Sequence, residues 1–389
     1  MASSYVTPDR DLVVDLTREL IRFQSVNPPG NEQPVAKYLA TRLRDLGLEA
    51  ELEEVEAGRA NVVARLHGQG SGHLVFTGHI DVVPPGGQKW AHSPFDADLV
   101  DGKRIYGRGS ADMKGGVAAI AAAMASLVAS NFRPTADIVL AATCGEEAGM
   151  LGARAMADRG SLQGARYLVV AEPSNLDVFI GEKGVLWVKI RALGRTGHGS
   201  MPWLGINAVS YMARLIPRLE EYPFPFEESA LLGKPTVSVN MIEGGNKVNV
   251  VPDLCEMTID MRTVPRQDHG AIVAALEALA NEVARSFHAD LRIEVEVQED
   301  VGPLETDRDE PLVEAMVASV RTVLGREPVV GGVTYGTDAA YLGPGYNIPM
   351  VICGPGAQGM AHQPDEYVEV EQLVQAAEIY ADLARRLLG

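Results

Sequence analysis

Hydrophobic residues along this chain follow two rhythms. From Asp9 to Arg22, Leu12, Val13, Leu16, Leu20 and Ile21 recur at helical spacing, and a second amphipathic helix is predicted after the Ser25 to Asn31 loop, ending near Leu46. Extended segments follow near Glu49 to Val55, Asn61 to Leu66 and Leu74 to His79. An alanine-rich helix is expected over Gly115 to Ser130, an apolar strand over Asp137 to Cys144, a helix over Leu151 to Asp158 and a short buried strand over Tyr167 to Ala171. Apolar strands alternating with helices mark an α/β layer fold with a largely parallel sheet flanked by helices.

The rhythm changes after about Ile180. Gly184 to Ala192 alternates as a half-buried strand, a helix follows from Ile206 to Leu219, and Thr236 to Ile242 and Leu254 to Met261 read as paired antiparallel strands. A helix from Ala271 to Phe287 and a strand from Leu291 to Val297 complete a small α+β two-layer block. From Leu312 the first rhythm returns, with an apolar stretch at Met350 to Cys353 and a last helix over Val370 to Leu388. The predicted organisation is a domain split into residues 1–180 and 296–389, with residues 181–295 inserted.

Composition narrows the function classes. The 389 residues suit two domains, and a net charge of −18 argues against a nucleic-acid partner, which would need a basic surface. Cys144, Cys255 and Cys353 are few, odd in number and far apart, which offers no disulfide framework and points to a reducing, cytoplasmic setting. The first residues, MASSYVTPDRDLVVDL, lack the basic start and apolar block of a signal peptide. The longest apolar run, Val117 to Ala129, is too short for a bilayer and reads as a buried helix, so no membrane partner is expected.

The candidate chemistry sits where apolar strands end. In FTGHIDVVP, His79 and Asp81 are two apart on a strand and share a face, the arrangement of a metal ligand beside the group that orients it. GRGSADMKGG places Asp112 before the alanine-rich helix, where an ordinary N-cap is the plain alternative. TCGEEAG puts Glu146 and Glu147 after one strand, AEP puts Glu172 after another, and GPGAQGMAHQPDE carries His362 in a loop. Each alone is explained by caps and solvated loops. Together they bring two histidines and several carboxylates to strand ends, where open α/β sheets form their ligand crevice. That donor set suits two divalent ions of zinc, cobalt or manganese, with one glutamate left over as a general base.

These stretches, with TGHGSMP, closely resemble the M20 metallopeptidases, the group of acetylornithine deacetylase, succinyl-diaminopimelate desuccinylase, aminoacylase-1 and glutamate carboxypeptidase. The resemblance implies two zinc ions bridged by Asp112, with His79 and Glu172 on one and Glu147 and His362 on the other. It further implies Glu146 as general base, Asp81 as the partner of His79 and a cis peptide after Asp112. The inserted block resembles the family's lid, which commonly forms a homodimer. His198 then corresponds to a histidine that stabilises the oxyanion in the other subunit's site. Asn249, Arg262, Thr337 and Asp338 match substrate-binding positions.

Substrate choice is less marked. The AHQPDEY ending leans toward acetylornithine deacetylases, but GlyThrAsp stands where those have CysThrGlu. Glu182 to Val185, EKGV, replaces the adjacent arginines of typical desuccinylases, removing a bidentate carboxylate partner. The expectation is hydrolysis of an N-acyl amino acid or short peptide at the amide beside a free α-carboxylate. A dipeptidase or carboxypeptidase of the same fold is the enzymatic alternative. A catalytically silent metal-binding relative would lack a ligand or the base, and none is missing.

Overall fold

A computed structural model describes residues 7–389, so the first six residues of the stretch read for a signal peptide lie outside it. Among the described residues the chain divides into two compact units. One is built from residues up to Gly181, Glu305–Gly332 and Thr337–Gly389, the other from Glu182–Leu304 and Val333–Gly336. The second unit continues past residue 295 because the whole Arg292–Val301 strand pairs along Gly184–Leu193.

At the centre of the first unit lie four neighbouring strands, in the order Asp137–Thr143, His73–His79, Ala165–Pro173 and Met350–Gly354, and every ladder between them is parallel. Their middles are apolar and buried without alternation, as expected for strands covered on both faces. The sheet becomes antiparallel on both sides. Arg59–Leu66 and Glu49–Glu56 extend one flank and Val178–Glu182 the other. The outermost strand, Glu49–Glu56, carries Glu49, Glu51, Glu53, Glu54 and Glu56, mostly exposed, as suits a charged edge strand.

The Gly115–Ala129 helix is buried along nearly its whole length and packs beside Val370–Leu388. Small residues allow that depth: a Cβ on Gly116 would stand 2.4 Å from the Ala171 carbonyl oxygen. The segment Ser110–Ala129 is apolar and long enough to cross a membrane, but 89% of its most apolar window is buried, which marks a core helix. Truncating Ile120 to alanine in this setting would cost about 2–5 kcal/mol.

The second unit is a four-stranded antiparallel sheet, ordered Thr236–Gly244, Leu254–Thr263, Gly184–Leu193, Arg292–Val301. Helices Ala208–Glu220 and His269–Phe287 cover one face, where Leu186, Val188, Ile190 and Ala192 enter the core. Tyr211 ties the two helices by donating its hydroxyl to the Ala280 carbonyl at 2.8 Å. Elements without a clear pattern in sequence include a three-stranded sheet of very short strands, the Val178–Glu182 strand and the Ala339–Tyr346 helix, which contains Gly343, Pro344 and Gly345.

Candidate metal centre

His79 ends its strand and is 1% exposed. Its Nδ1 lies 3.0 Å from the Asp81 backbone carbonyl. A carbonyl oxygen only accepts, so Nδ1 carries the proton and Nε2 keeps its lone pair. That Nε2 lies 3.0 Å from Asp112 Oδ1 and 3.5 Å from Glu172 Oε1. The other Asp112 oxygen lies 3.3 Å from His362 Nε2, which is also 3.1 Å from Glu147 Oε2. Two clusters therefore share one carboxylate: His79, Asp112 and Glu172, and Asp112, Glu147 and His362, each with candidate ligand atoms within 4.8 Å of one another. Asp112 is no helix cap. The helix starts at Gly115 with Lys114 in the capping position, and the Asp112–Met113 peptide is cis.

The electrostatics fit divalent cations. Burial, with Asp112 and Glu147 nearby, pushes the Glu172 carboxyl well above its ordinary value, and burial raises Glu147 as well. Burial would raise Asp112 too, but bonds from His362 and His79 outweigh it and hold that carboxyl low. Asp112 and Glu147 in turn lift the His362 imidazolium to about 10. Carboxylates crowded into a buried space with only two imidazoles beside them lack positive charge, and oxygen and imidazole donors at these spacings suit zinc, cobalt or manganese. Glu146 belongs to neither cluster. Its carboxyl is raised well above ordinary by burial, with Glu172, Asp338 and Glu147 adding to the effect.

Two buried carboxylates organise the backbone around these ligands. Asp81 Oδ1 accepts from the amides of Gly145 and Glu146 at 3.0 and 3.1 Å; Oδ2 accepts from the Glu147 amide at 3.2 Å and Asn27 Nδ2 at 2.8 Å. The Asp81 carboxylate is 3.6 Å from His79 Nδ1, so its shorter contacts go to the glutamate turn. Glu366 does the same for the shared ligand. Its oxygens accept from the amides of Ala111 and Asp112 at 2.9 and 3.1 Å, and from Arg108 Nη1 at 2.6 Å. Sequence reading missed Asn27, Arg108 and Glu366. The last two lie inside the motif stretches, but a buried ion pair there looks no different from surface charge.

Comparison with known proteins gives the family. The sequence signature of Peptidase family M20/M25/M40 matches residues 75–386. The chain belongs to this family. A probable succinyl-diaminopimelate desuccinylase of Staphylococcus epidermidis is 29% identical, the alignment covering 96% of this chain and 97% of the relative. An acetylornithine deacetylase of Aliivibrio salmonicida is 34% identical, covering 87% of each. Among solved structures, the aminopeptidase PepT of Bacillus cereus superposes with a TM-score of 0.80 at 24% identity, covering 97% of this chain and 99% of that one. As an M20 member the chain is a hydrolase, and its relatives are named for cleaving acyl groups from amino acids.

The remaining candidates of this M20 chain fall in two places. Thr337 and Asp338 are buried in the first unit, where Asp338 accepts the Thr143 hydroxyl at the end of the Asp137–Thr143 strand. Its other oxygen, Oδ1, is buried without a hydrogen-bond partner, and burial lifts the carboxyl to about 6. His198, Asn249 and Arg262 belong to the second unit. His198 is exposed, with Nδ1 2.7 Å from Ser200 Oγ, and its loop meets that of Asn249, whose carbonyl accepts from the Gly199 amide at 2.8 Å. Arg262 grips Asp260 with two bonds of 2.9 and 3.1 Å.

Proposed function

We propose that this protein is a two-zinc amidohydrolase that removes the acyl group from an N-acyl amino acid, in the manner of an acetylornithine deacetylase. One observation carries the reading: Asp112 presents one oxygen to each of two ligand clusters, while Glu146, on the same turn as Glu147, stands outside both. Zinc ions, or cobalt or manganese in their place, held by His79, Asp112 and Glu172 and by Asp112, Glu147 and His362, would polarise the amide carbonyl and acidify water.

Glu146 takes the proton of the attacking water and returns it to the departing amine. A carboxyl raised well above its ordinary value by burial suits that role, since it holds a proton more readily than an exposed glutamate does. Asp81 keeps the turn in place, and the Asp81 carbonyl fixes the His79 tautomer. Asn249, Arg262, Thr337 and Asp338 bind the substrate's carboxylate and acyl ends. The partner subunit's His198 supports the oxyanion in a homodimer joined through the second unit. Exposed Met241, Ile242 and Val248 on the Thr236–Gly244 edge strand and the following loop favour such a surface. Three free, buried cysteines are in keeping with a cytoplasmic setting.

Acetyl is favoured over succinyl because Lys183, where a desuccinylase would offer arginine, is buried and donates to the Lys234 carbonyl. The test is a panel of N-acetyl-L-ornithine, N-acetyl-L-methionine, N-formyl-L-methionine, N-succinyl-L,L-diaminopimelate and dipeptides on zinc-loaded protein. Turnover of N-acetyl substrates, lost with chelator and restored by zinc or cobalt, is expected. Turnover of dipeptides alone would replace the deacylase with a dipeptidase.

A further inference from the structure

Two buried groups border the turn that carries Glu146 and Glu147. Asp81 takes its amides, and against Gly145 lies a buried guanidinium. Arg59, the first residue of the Arg59–Leu66 strand, donates from Nε and Nη2 to the two oxygens of Glu32 at 2.9 and 2.6 Å. Arg59 is 8% exposed and Glu32 fully buried. This guanidinium occupies a slot between two glycines. A Cβ on Gly30 would stand 2.5 Å from Arg59 Cζ, and one on Gly145 would stand 2.6 Å from Arg59 Nη2. Both glycines have positive φ, 90° and 78°, so their backbone demands glycine and their bare Cα atoms leave space for the flat cation. Gly145 immediately precedes Glu146.

Stability is a weak reason for such a pair, because well-packed apolar residues commonly replace buried ion pairs without loss. Shape is a better one. A planar fork with two fixed bonds to a carboxylate is rigid in a way that a lysine or a methionine is not. Glu32 and Gly30 also follow the Asn27 whose amide reaches Asp81, so one loop supports both sides of the turn.

We propose that Arg59 is a positioning residue for Glu146: its guanidinium, locked by Glu32, fills the slot between Gly30 and Gly145 and sets where Glu146 projects. This rests on the reading of Glu146 as the base. Misplacing a reacting group by about 1 Å can cost about 100-fold in rate.

Two variants separate position from charge. Arg59→Lys keeps the ion pair and loses the plane. The double variant Glu32→Gln/Arg59→Met is neutral and leaves no buried charge alone. Both are assayed as full-length, zinc-loaded protein on the best substrate of the panel above, with zinc counted per chain. Each is expected to keep wild-type zinc content and a KM within about twofold, while kcat falls about 10- to 100-fold. A double variant with wild-type kcat would overturn the proposal, as would a loss confined to KM or to zinc content. If Arg59→Lys does not fold, the double variant decides by the same readouts. If neither folds, the pair is a stability element and the proposal falls. Glu146→Gln is run alongside. Retained turnover there would remove the base reading itself. If turnover is abolished there but unchanged in the Arg59 variants, the positioning role alone fails.

Discussion

His79 and Glu172 come from strand ends at the middle of a parallel sheet, and their side chains are 1% and 7% exposed. Glu147 and His362 come from a short turn and a loop, and the His362 side chain is 51% exposed, with a positive φ of 63°. The two halves meet on Asp112, whose segment Glu366 holds by its amides. The difference is one of support. The strands behind His79 and Glu172 are laddered on both sides, whereas a turn and a loop depend on local hydrogen bonds such as those of Asp81. The half on His79 and Glu172 is buried throughout; in the other half Glu147 is 7% exposed as well, so it is His362 that opens that half toward solvent.

The largest loss is expected from Glu146→Gln. Because Glu146 stands outside both clusters, kcat should fall by about 10²–10⁴-fold with metal content unchanged. Loss of metal instead would move Glu146 into a ligand set. Next come the two histidines. His79→Ala should strip the buried ion and weaken the other through Asp112, while His362→Ala should empty only the open half, as read by metal analysis after dialysis. Equal losses would erase the asymmetry.

A smaller effect is expected from Asp81→Asn. All four contacts to the Asp81 oxygens are donors, so a side-chain amide would face at least one N–H directly. A cost of about 1–3 kcal/mol in unfolding free energy is expected, with kcat reduced and most metal retained. Loss of both metals would make Asp81 part of the ligand set.

The gentlest test uses pH. In metal-free protein Glu172 and Glu147 hold protons above the ordinary 4.5, so folding favours their protonated form and stability falls as pH rises past that value. His362, lifted from 6.5 to about 10, contributes stability below 6.5 that is lost as pH climbs toward 10. Both signs agree. Bound metal needs the deprotonated ligands, so the Tm gap between zinc-loaded and chelated protein should widen from about pH 5 to pH 7.5. A constant gap would mean that these groups do not hold the metal.

The central strands were legible because continuous apolar runs have few other uses, and their ends led directly to His79, Glu146, Glu147 and Glu172. From its own surroundings Asp112 read as a candidate with an N-cap as the plain alternative, and a bridge came only with the family resemblance; the fold shows that the helix starts later, at Gly115. Asp81 was read as the orienter of His79, where the structure gives that contact to its backbone carbonyl and sends its carboxylate to the glutamate turn. Glu32, Arg59, Arg108 and Glu366 went unread. Each pairs with a residue far away in sequence, and nothing local separates a buried charge from a solvated one.

The shared carboxylate of Asp112 is tested most directly by metal counting. Zinc-reconstituted wild-type protein, after gel filtration, should carry two ions per chain, and Asp112→Ala should carry fewer than one. Two ions retained in Asp112→Ala, or none in a well-folded wild type, would contradict it.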